Sequence, residues 1–254
     1  MKITKEQYLR IKWMLPIPRG NTRVDNLTFI NALLYIVENG CKWRALPEKF
    51  GKWSTIYKRF RRWSETGVLE RVFKELQKEF IAEVDLSVLS LDSTSIKASP
   101  DAAGALKKNG KQAIGRSRGG LTSKLHAIVA NTKAIVAFSI KSGEAADDPQ
   151  GRLLMKSLDP ELVEGVNLVM DRAYEGDDTR KTAIDLGMKP CVPPKSNRKA
   201  PWDYDAELYK QRNMVERFFR RIKRFRRIQT RYEKLDLMFR SVFLVVMITE
   251  FIMH

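Results

Sequence analysis

Residues 88–96 read VLSLDSTSI, and this stretch decides the fold because the hydrophobic pattern of the chain changes its period here. The run is short and starts with apolar residues, which predicts a β-strand with one carboxylate, Asp92, inside it. Before residue 86 the apolar residues recur at helical spacing, and after it further strand-like runs follow. The stretch therefore predicts a boundary between an all-helical segment and an α/β segment.

The segment before this strand contains four predicted helices, over residues 4–14, 25–39, from about 54 onward and 68–80. The third helix carries Ile56, Phe60 and Trp63 on an apolar face. Its other faces carry four basic side chains, which are Lys58, Arg59, Arg61 and Arg62. A helix pair followed by a basic helix is typical of a helix-turn-helix-like DNA-binding domain, and we expect those four residues to contact DNA. A plain helical unit with a basic surface fits the same pattern.

The segment after residue 86 predicts three strands, a helix, a strand, a helix, a strand and a long basic helix. The strands cover residues 88–96, 124–130, 134–140, 166–170 and 189–193. A hairpin followed by βαβ units implies a mixed sheet flanked by helices. The fourth strand is then a neighbour of the first, which brings Asp171 near Asp92. We expect a helical domain over residues 1–84 and an α/β domain over residues 85–254.

Two further residues of this segment receive structural interpretations. Asp147 stands with Asp148 before Pro149, a pattern that opens a helix. His126 lies within a predicted strand and is interpreted as a packed or hydrogen-bonded residue rather than a metal ligand.

The charge of the chain points to a polyanionic partner. There are 47 Lys plus Arg against 30 Asp plus Glu, which gives a formal net charge of +17. Nucleic acid is the first candidate and a membrane surface the second, while a merely soluble basic protein remains the plain alternative. A loop over residues 97–120 is interpreted as solvated. Six basic residues and no acidic residue lie between positions 107 and 124, and we expect Arg118 and Lys124 among them to contact DNA.

Several classes of protein fit the composition poorly. Cys41 and Cys191 lie 150 residues apart, so no disulfide framework is indicated and a reducing compartment is expected. With two histidines in the chain, a histidine-based zinc site is close to excluded. The N-terminus lacks the apolar core of a signal peptide, and the apolar stretch over residues 241–254 is short and contains Glu250. We therefore expect a cytoplasmic protein without a membrane span.

Near the C-terminus residues 209–223 read YKQRNMVERFFRRIK. Four polar side chains in this stretch are spaced by three, four and seven residues, which keeps them on one face of an α-helix. These are Tyr209, Arg212, Glu216 and Lys223. If the helix packs across the strand ends, Glu216 joins the two aspartates. Three adjacent carboxylates repel one another unless they bind cations, and oxygen ligands favour Mg²⁺ or Mn²⁺.

Each of these carboxylates also has an ordinary structural interpretation. Asp92 before Ser93 can be a turn or cap residue, and Asp171 can form a simple ion pair with Arg172. Glu216 can form a helix-surface pair with a neighbouring arginine. Spacing alone leaves these alternatives open.

The motifs taken together resemble the DDE transposases of bacterial insertion sequences, which have an RNase H-like catalytic core. The resemblance rests first on the helix pattern Tyr-x2-Arg-x3-Glu-x6-Lys of residues 209–223 and covers nearly the whole chain. Four shorter stretches also resemble the family, namely LDST at 91–94, DRAY at 171–174, GRSRGGLTSK at 115–124 and WRALP at 43–47. Asn213 departs from the pattern, since relatives often carry histidine there. It puts no catalytic position in doubt.

The resemblance implies a function and a set of roles. Asp92, Asp171 and Glu216 would be the catalytic residues and would hold two Mg²⁺ ions, for which Mn²⁺ can substitute. Water would cut the transposon end, and the released 3′-OH would attack target DNA. The resemblance also implies DNA contacts for the other positions of the motif and for two nearby arginines, which are Tyr209, Arg212, Lys223, Arg220 and Arg224.

The implied partners are transposon ends and target DNA, held by a homodimer or a larger assembly close to the bacterial nucleoid. Two alternatives to a transposase remain. One is a metal-dependent DNA nuclease on the same core. The other is a domesticated DNA-binding protein without catalysis.

Overall fold

In a computed structural model, the protein is described over residues 1–18, 24–103 and 110–253. The helices, in chain order, are α1 (Lys5–Ile11), α2 (Asn26–Asn39), α3 (Trp53–Glu65), α4 (Val68–Ala82), α5 (Asp147–Met155), α6 (Pro160–Val163), α7 (Asp177–Asp185), α8 (Ala206–Tyr209), α9 (Asn213–Ile222), α10 (Arg226–Gln229) and α11 (Asp236–Ile252). The strands are β1 (Val88–Ala98), β2 (Gly115–Ser117), β3 (Gly120–Val129), β4 (Ile135–Ser142), β5 (Asn167–Met170), β6 (Lys189–Cys191) and β7 (Thr230–Arg231).

The chain forms two compact units, each built from separate stretches of sequence. The helical unit comprises Met1–Glu79, Lys97–Ala113 and Ile222–His254. The sheet unit comprises Phe80–Ile96 and Ile114–Arg221. The domain boundary predicted between residues 84 and 85 stays a prediction.

The helical unit is organised around α2 and α11. Asp25 caps α2 by accepting a hydrogen bond from the backbone N–H of Thr28 at 2.6 Å. Gly40 ends the helix at φ 65°, a left-handed conformation that glycine adopts without steric cost. The last helix, α11, is buried along most of its length and packs against α2 and α3. The predicted N-terminal helices are confirmed, while their helix-turn-helix arrangement stays a prediction.

The apolar C-terminal stretch is thus a core helix of the helical unit, as its length and Glu250 indicated. Within the described ranges, none of the helices is both long and apolar enough to span a membrane.

The sheet contains seven strands in the described part of the chain, in the order β2-β3-β1-β5-β6, with β4 paired to β3 and β7 paired to the end of β1. Strands β2, β3 and β4 are antiparallel, whereas β1, β5 and β6 are parallel. The parallel strands need crossover helices, and α5 and α7 pack together within this unit. The prediction of an RNase H-like mixed sheet flanked by helices and preceded by a helical region is confirmed.

The core of the sheet unit fixes where the strand ends lie. Leu89 and Leu91 on β1 are fully buried beside Leu168 and Met170 on β5, and burying each such side chain contributes roughly 1.5–3 kcal/mol. Helix α5 can approach this core closely because it carries glycine at position 151. A Cβ there would lie 2.7 Å from the ring of Tyr174.

Two predicted elements differ in the structure. The single helix predicted through residue 223 is wrong, because a 3₁₀ turn over Lys210–Arg212 separates α8 from α9, which ends at Ile222. The loop predicted over residues 97–120 is wrong in part, because Gly115–Ser117 form a strand that pairs with β3. Residues 104–109 of that loop lie outside the described residues.

Candidate active site

The parallel pairing of β1 with β5 brings two aspartates together. Leu91 is in register with Met170; Asp92 follows Leu91 within β1, and Asp171 follows Met170 directly after β5. Neighbouring strands lie about 4.8 Å apart, so the two aspartates are close neighbours, and the charge of Asp171 acts on the carboxyl of Asp92. This adjacency is the one that the βαβ pattern predicts.

Asp92 lies in a poorly solvated position, with 15% of its side chain exposed. Burial raises the pKa of its carboxyl to about 6, and the nearby Asp171 and Asp147 add to the rise. Hydrogen bonding from the backbone N–H of Ser93, at 2.7 Å, and the charge of Arg212 act in the opposite direction. A carboxylate in this position is electrostatically costly unless a cation stands beside it.

The stretch before α9 supplies such a cation. The hydroxyl of Ser90 on β1 donates to the carbonyl of Gln211 at 3.3 Å, which holds the 3₁₀ turn against the strand. Arg212 then donates from Nη1 to Asp92 Oδ2 at 3.3 Å and from Nη2 to Glu216 Oε1 at 2.5 Å. One guanidinium thus links the strand carboxylate with the helix carboxylate.

Acidic groups around Arg212 stabilise its positive charge. Burial alone would lower the pKa of its guanidinium, but the acidic groups around it, including Glu216 and both aspartates, raise it. Among the described residues, no three acidic, histidine or cysteine side chains are placed so that they could together hold a metal ion. The positive charge between Asp92 and Glu216 is that of Arg212. The carboxylate oxygens of this site are ligands of the type that hard divalent cations prefer.

Asp147 is the polar residue at this site that sequence analysis missed. It begins α5, as predicted, but its Oδ1 accepts a hydrogen bond from the hydroxyl of Ser93 at 2.6 Å. Lys124 on β3 lies 3.1 Å from the same oxygen and also donates to the carbonyl of Ala145 at 2.9 Å. No spacing rule relates Asp147 to β1, because the contact depends on how the helix packs on the sheet.

His126 and Tyr174 complete this cluster. Both side chains are fully buried, and His126 Nδ1 lies 3.4 Å from the Tyr174 hydroxyl and 3.7 Å from Asp147 Oδ1. Burial lowers the pKa of His126 to about 4, so the ring is neutral at physiological pH. Burial likewise raises the pKa of Tyr174 above its ordinary value. The interpretation of His126 as a packed strand residue is confirmed.

The residues predicted to contact DNA lie in different environments. Tyr209 faces Arg212, whose guanidinium carbon is 5.9 Å from the centre of its ring, and burial raises the pKa of the phenol. Lys223 follows the end of α9, and partial burial lowers the pKa of its ammonium group. Three predicted contacts are exposed arginines, namely Arg118, Arg220 and Arg224. Lys124 is paired with Asp147. All these DNA contacts stay predictions.

Of the four residues of α3 that are predicted to contact DNA, three are exposed and one is buried. Lys58 and Arg62 are exposed, and exposed Arg61 pairs with Glu65 at 2.7 Å. Arg59 is buried, donates to the carbonyl of Val24 at 3.0 Å and lies over two aromatic rings of the core. The rings belong to Phe29 and Trp63, with centroids 4.3 and 5.1 Å from the guanidinium carbon.

Two family models match this chain and together cover most of it. Residues 84–251 match the family described as "Transposase DDE domain". Residues 3–73 match the family described as "Putative transposase of IS4/5 family".

Two bacterial proteins are similar to this chain over less than half of its length. A protein of Sinorhizobium fredii named "Uncharacterized protein y4sN" is 36% identical over 111 residues, which is 41% of this chain and 83% of that protein. "Putative transposase for insertion sequence element IS6501" of Brucella ovis is 33% identical over 116 residues, or 45% of this chain and 85% of that protein.

Among solved structures, piggyBac transposase in a synaptic complex with hairpin DNA aligns with 76% of this chain at 12% identity and a TM-score of 0.41. This chain spans about half of that transposase, 47% of its length. A TM-score this low supports no conclusion about function.

Proposed function

The chain belongs to the DDE transposase family of insertion sequences. We propose that it binds the ends of its element, cuts phosphodiester bonds there and joins the 3′-OH ends to target DNA. The observation that carries the proposal is the adjacent position of Asp92 and Asp171, directly after the last paired residues of β1 and β5, with Glu216 linked to Asp92 through Arg212. These three carboxylates are the proposed catalytic residues.

We propose that the same three residues hold two Mg²⁺ ions, with Mn²⁺ as a substitute. Bound there, the ions would activate the attacking oxygen and stabilise the leaving oxygen of the phosphodiester. The raised pKa of Asp92 supports this assignment, because a carboxylate buried beside another acidic group gains most from a cation. The oxygen-only donor set agrees with a hard divalent ion.

The cationic side chains around the carboxylates have a separate role. Arg212 pairs with both Asp92 and Glu216, and its planar fork suits a phosphate group when DNA is present. We propose that Tyr209 and Lys223 contact DNA close to the cut. The exposed arginines of residues 220–224 would extend the positive surface along the backbone.

The wider functional assignments follow from the family and from the charge of +17. We propose that residues 1–84 bind the element's ends and that residues 85–254 carry the chemistry. The assembly would be a homodimer or larger, because two ends must be joined. The protein would act in the bacterial cytoplasm on nucleoid DNA.

Strand transfer is the reaction that tests the proposal. Incubation of the protein with DNA that carries the ends of its genomic element, in Mg²⁺ buffer, is expected to yield cuts at the ends and products joined to a second duplex. Sequencing of the products maps both. Cuts without joined products would favour a metal-dependent nuclease, and neither product would favour a non-catalytic DNA-binding protein.

Replacement of Arg62 by alanine is expected to weaken binding to the element's ends without lowering the melting temperature. Arg62 is exposed on α3, and loss of one phosphate contact reduces the salt dependence of binding by about one unit of slope, log K against log salt. The measurement is fluorescence anisotropy on an end duplex across a salt series. Cutting of a pre-nicked end at saturating protein should change little.

Arg59→Ala serves as the contrasting variant in that experiment. Its guanidinium lies within the aromatic core of the helical unit, so its removal should lower the melting temperature. An unchanged salt slope in Arg62→Ala would show that α3 does not present this residue to DNA.

A further inference from the structure

We propose that Asp147 is a positioning residue for the reaction, held by Lys124 so that it fixes the backbone segments carrying Asp92 and Asp171. The inference rests on the proposed function, since it assigns a role within that same site. It gives Lys124 a task different from the DNA contact that its sequence context suggests.

The first link runs from Asp147 to Asp92. Ser93 donates its hydroxyl to Asp147 Oδ1 at 2.6 Å, while its backbone N–H donates to Asp92 Oδ1 at 2.7 Å. Ser93 thus donates one hydrogen bond to Asp92 and one to Asp147. Fixing the Ser93 side chain fixes the peptide group that orients the Asp92 carboxylate.

The second link runs from Asp147 toward Asp171. His126 Nδ1 lies 3.7 Å from Asp147 Oδ1 and 3.4 Å from the Tyr174 hydroxyl. Tyr174 in turn donates its backbone N–H to the carbonyl of Asp171 at 2.8 Å. The turn that follows Asp171 is therefore connected through Tyr174 and His126 to Asp147, which accepts the hydrogen bond from Ser93.

Lys124 anchors the whole arrangement. Its ammonium group lies 3.1 and 3.2 Å from the two carboxylate oxygens of Asp147 and donates to the Ala145 carbonyl at 2.9 Å, with 15% of the side chain exposed. Without Lys124 the charge of Asp147 would act unopposed on Asp92 across Ser93, and the lysine offsets that repulsion. A lysine engaged in this way has little reach for a phosphate.

Residues that orient metal-binding side chains through hydrogen bonds typically change metal affinity or activity by about 10–100-fold when they are removed. Ser93→Ala, Asp147→Ala and Lys124→Met are therefore expected to raise the Mg²⁺ concentration for half-maximal cutting at least about tenfold. Ser93→Thr keeps the hydroxyl and should behave like the wild type.

The test uses the full chain and has three readouts. Binding of Mn²⁺ to the DNA-free protein is measured from the electron paramagnetic resonance signal of the free ion, and DNA binding is measured in EDTA. Cutting of an end duplex is then measured across a Mg²⁺ series. The matched control is Lys141→Met, because Lys141 is the cross-strand partner of Lys124 on β4 and carries the same charge.

The two roles of Lys124 predict different effects of Asp147→Ala on DNA binding. If Asp147 positions the site, both Asp147→Ala and Lys124→Met weaken Mn²⁺ binding and leave DNA binding in EDTA unchanged. If Lys124 instead contacts DNA, Asp147→Ala frees the lysine and strengthens DNA binding, while Lys124→Met weakens it and leaves Mn²⁺ binding intact. That second pattern would overturn the proposal.

Further measurements distinguish failure of this inference from misfolding of the variants and from failure of the proposed function. Each variant is melted without metal, and Lys124→Gln, which also removes the charge, replaces Lys124→Met if the latter unfolds. A wild type that neither binds Mn²⁺ nor cuts DNA would refute the proposed function. A wild type that does both, with Ser93→Ala and Asp147→Ala behaving identically to it, would refute this inference alone.

Discussion

Replacement of Asp92 by asparagine is expected to reduce cutting and joining of transposon ends by about 10³-fold or more, while end binding stays within about twofold. The substitution keeps the size and one oxygen of the side chain but removes the charge that would hold a divalent cation. Metal ions supply several kcal/mol of transition-state stabilisation, and each 1.4 kcal/mol corresponds to a factor of about ten in rate. Single-turnover cutting of a labelled end duplex in Mg²⁺ measures the loss.

Glu216→Gln should show a loss of the same order, since both residues contact Arg212 and are proposed ligands. Asp185→Asn is the matched control, because Asp185 is an exposed aspartate at the end of α7 in the same unit. Full Mg²⁺-dependent activity in Glu216→Gln would mean that the catalytic carboxylates are assigned wrongly. A parallel loss of end binding would point to misfolding instead.

The pairing of Asp92 with Asp171 is the part of the site most accessible from sequence. The order of strands and helices after residue 86 implies a parallel pair, and the residues next to its last paired positions must lie side by side. Glu216 is harder, because its approach depends on a helix that the structure interrupts at Lys210–Arg212. The motif spacing located the residue, but it did not reveal that Arg212 bridges two carboxylates.

Long-range packing accounts for most of what sequence analysis missed. Asp147 carries the pattern of a helix start, and its contacts with Ser93 and Lys124 span 54 and 23 residues of chain. Arg59 is a different case, since a signal was present. It is three residues after Ile56 and four before Trp63, within the apolar stripe of α3, so the charge suggested exposure where the spacing indicated burial.

The same Asp92→Asn variant is expected to be more stable than the wild type when both are free of metal at pH above 6. Burial raises the pKa of Asp92 from 3.8 to about 6, so the folded protein retains a proton that the unfolded chain has lost between these values. The stability contributed by this group is therefore full below about pH 4 and falls as pH rises through 6. A rise of about two pKa units corresponds to about 3 kcal/mol. Denaturant unfolding in EDTA at pH 4, 5, 6 and 7.5 measures the difference.

Asparagine carries no charge, so it avoids the electrostatic cost that the buried carboxylate has above pH 6. The difference in unfolding free energy between the two proteins should therefore grow as pH rises from about 4 to about 6. Asp185→Asn should show no such gap, because Asp185 is exposed. Added Mg²⁺ should stabilise the wild type and leave the variant unchanged, which reverses the order of stability. A less stable variant at pH 7.5 would mean that the ion pair with Arg212 outweighs burial. Gain of stability with loss of cutting is the trade-off expected where a carboxylate is kept for its chemistry rather than for the fold.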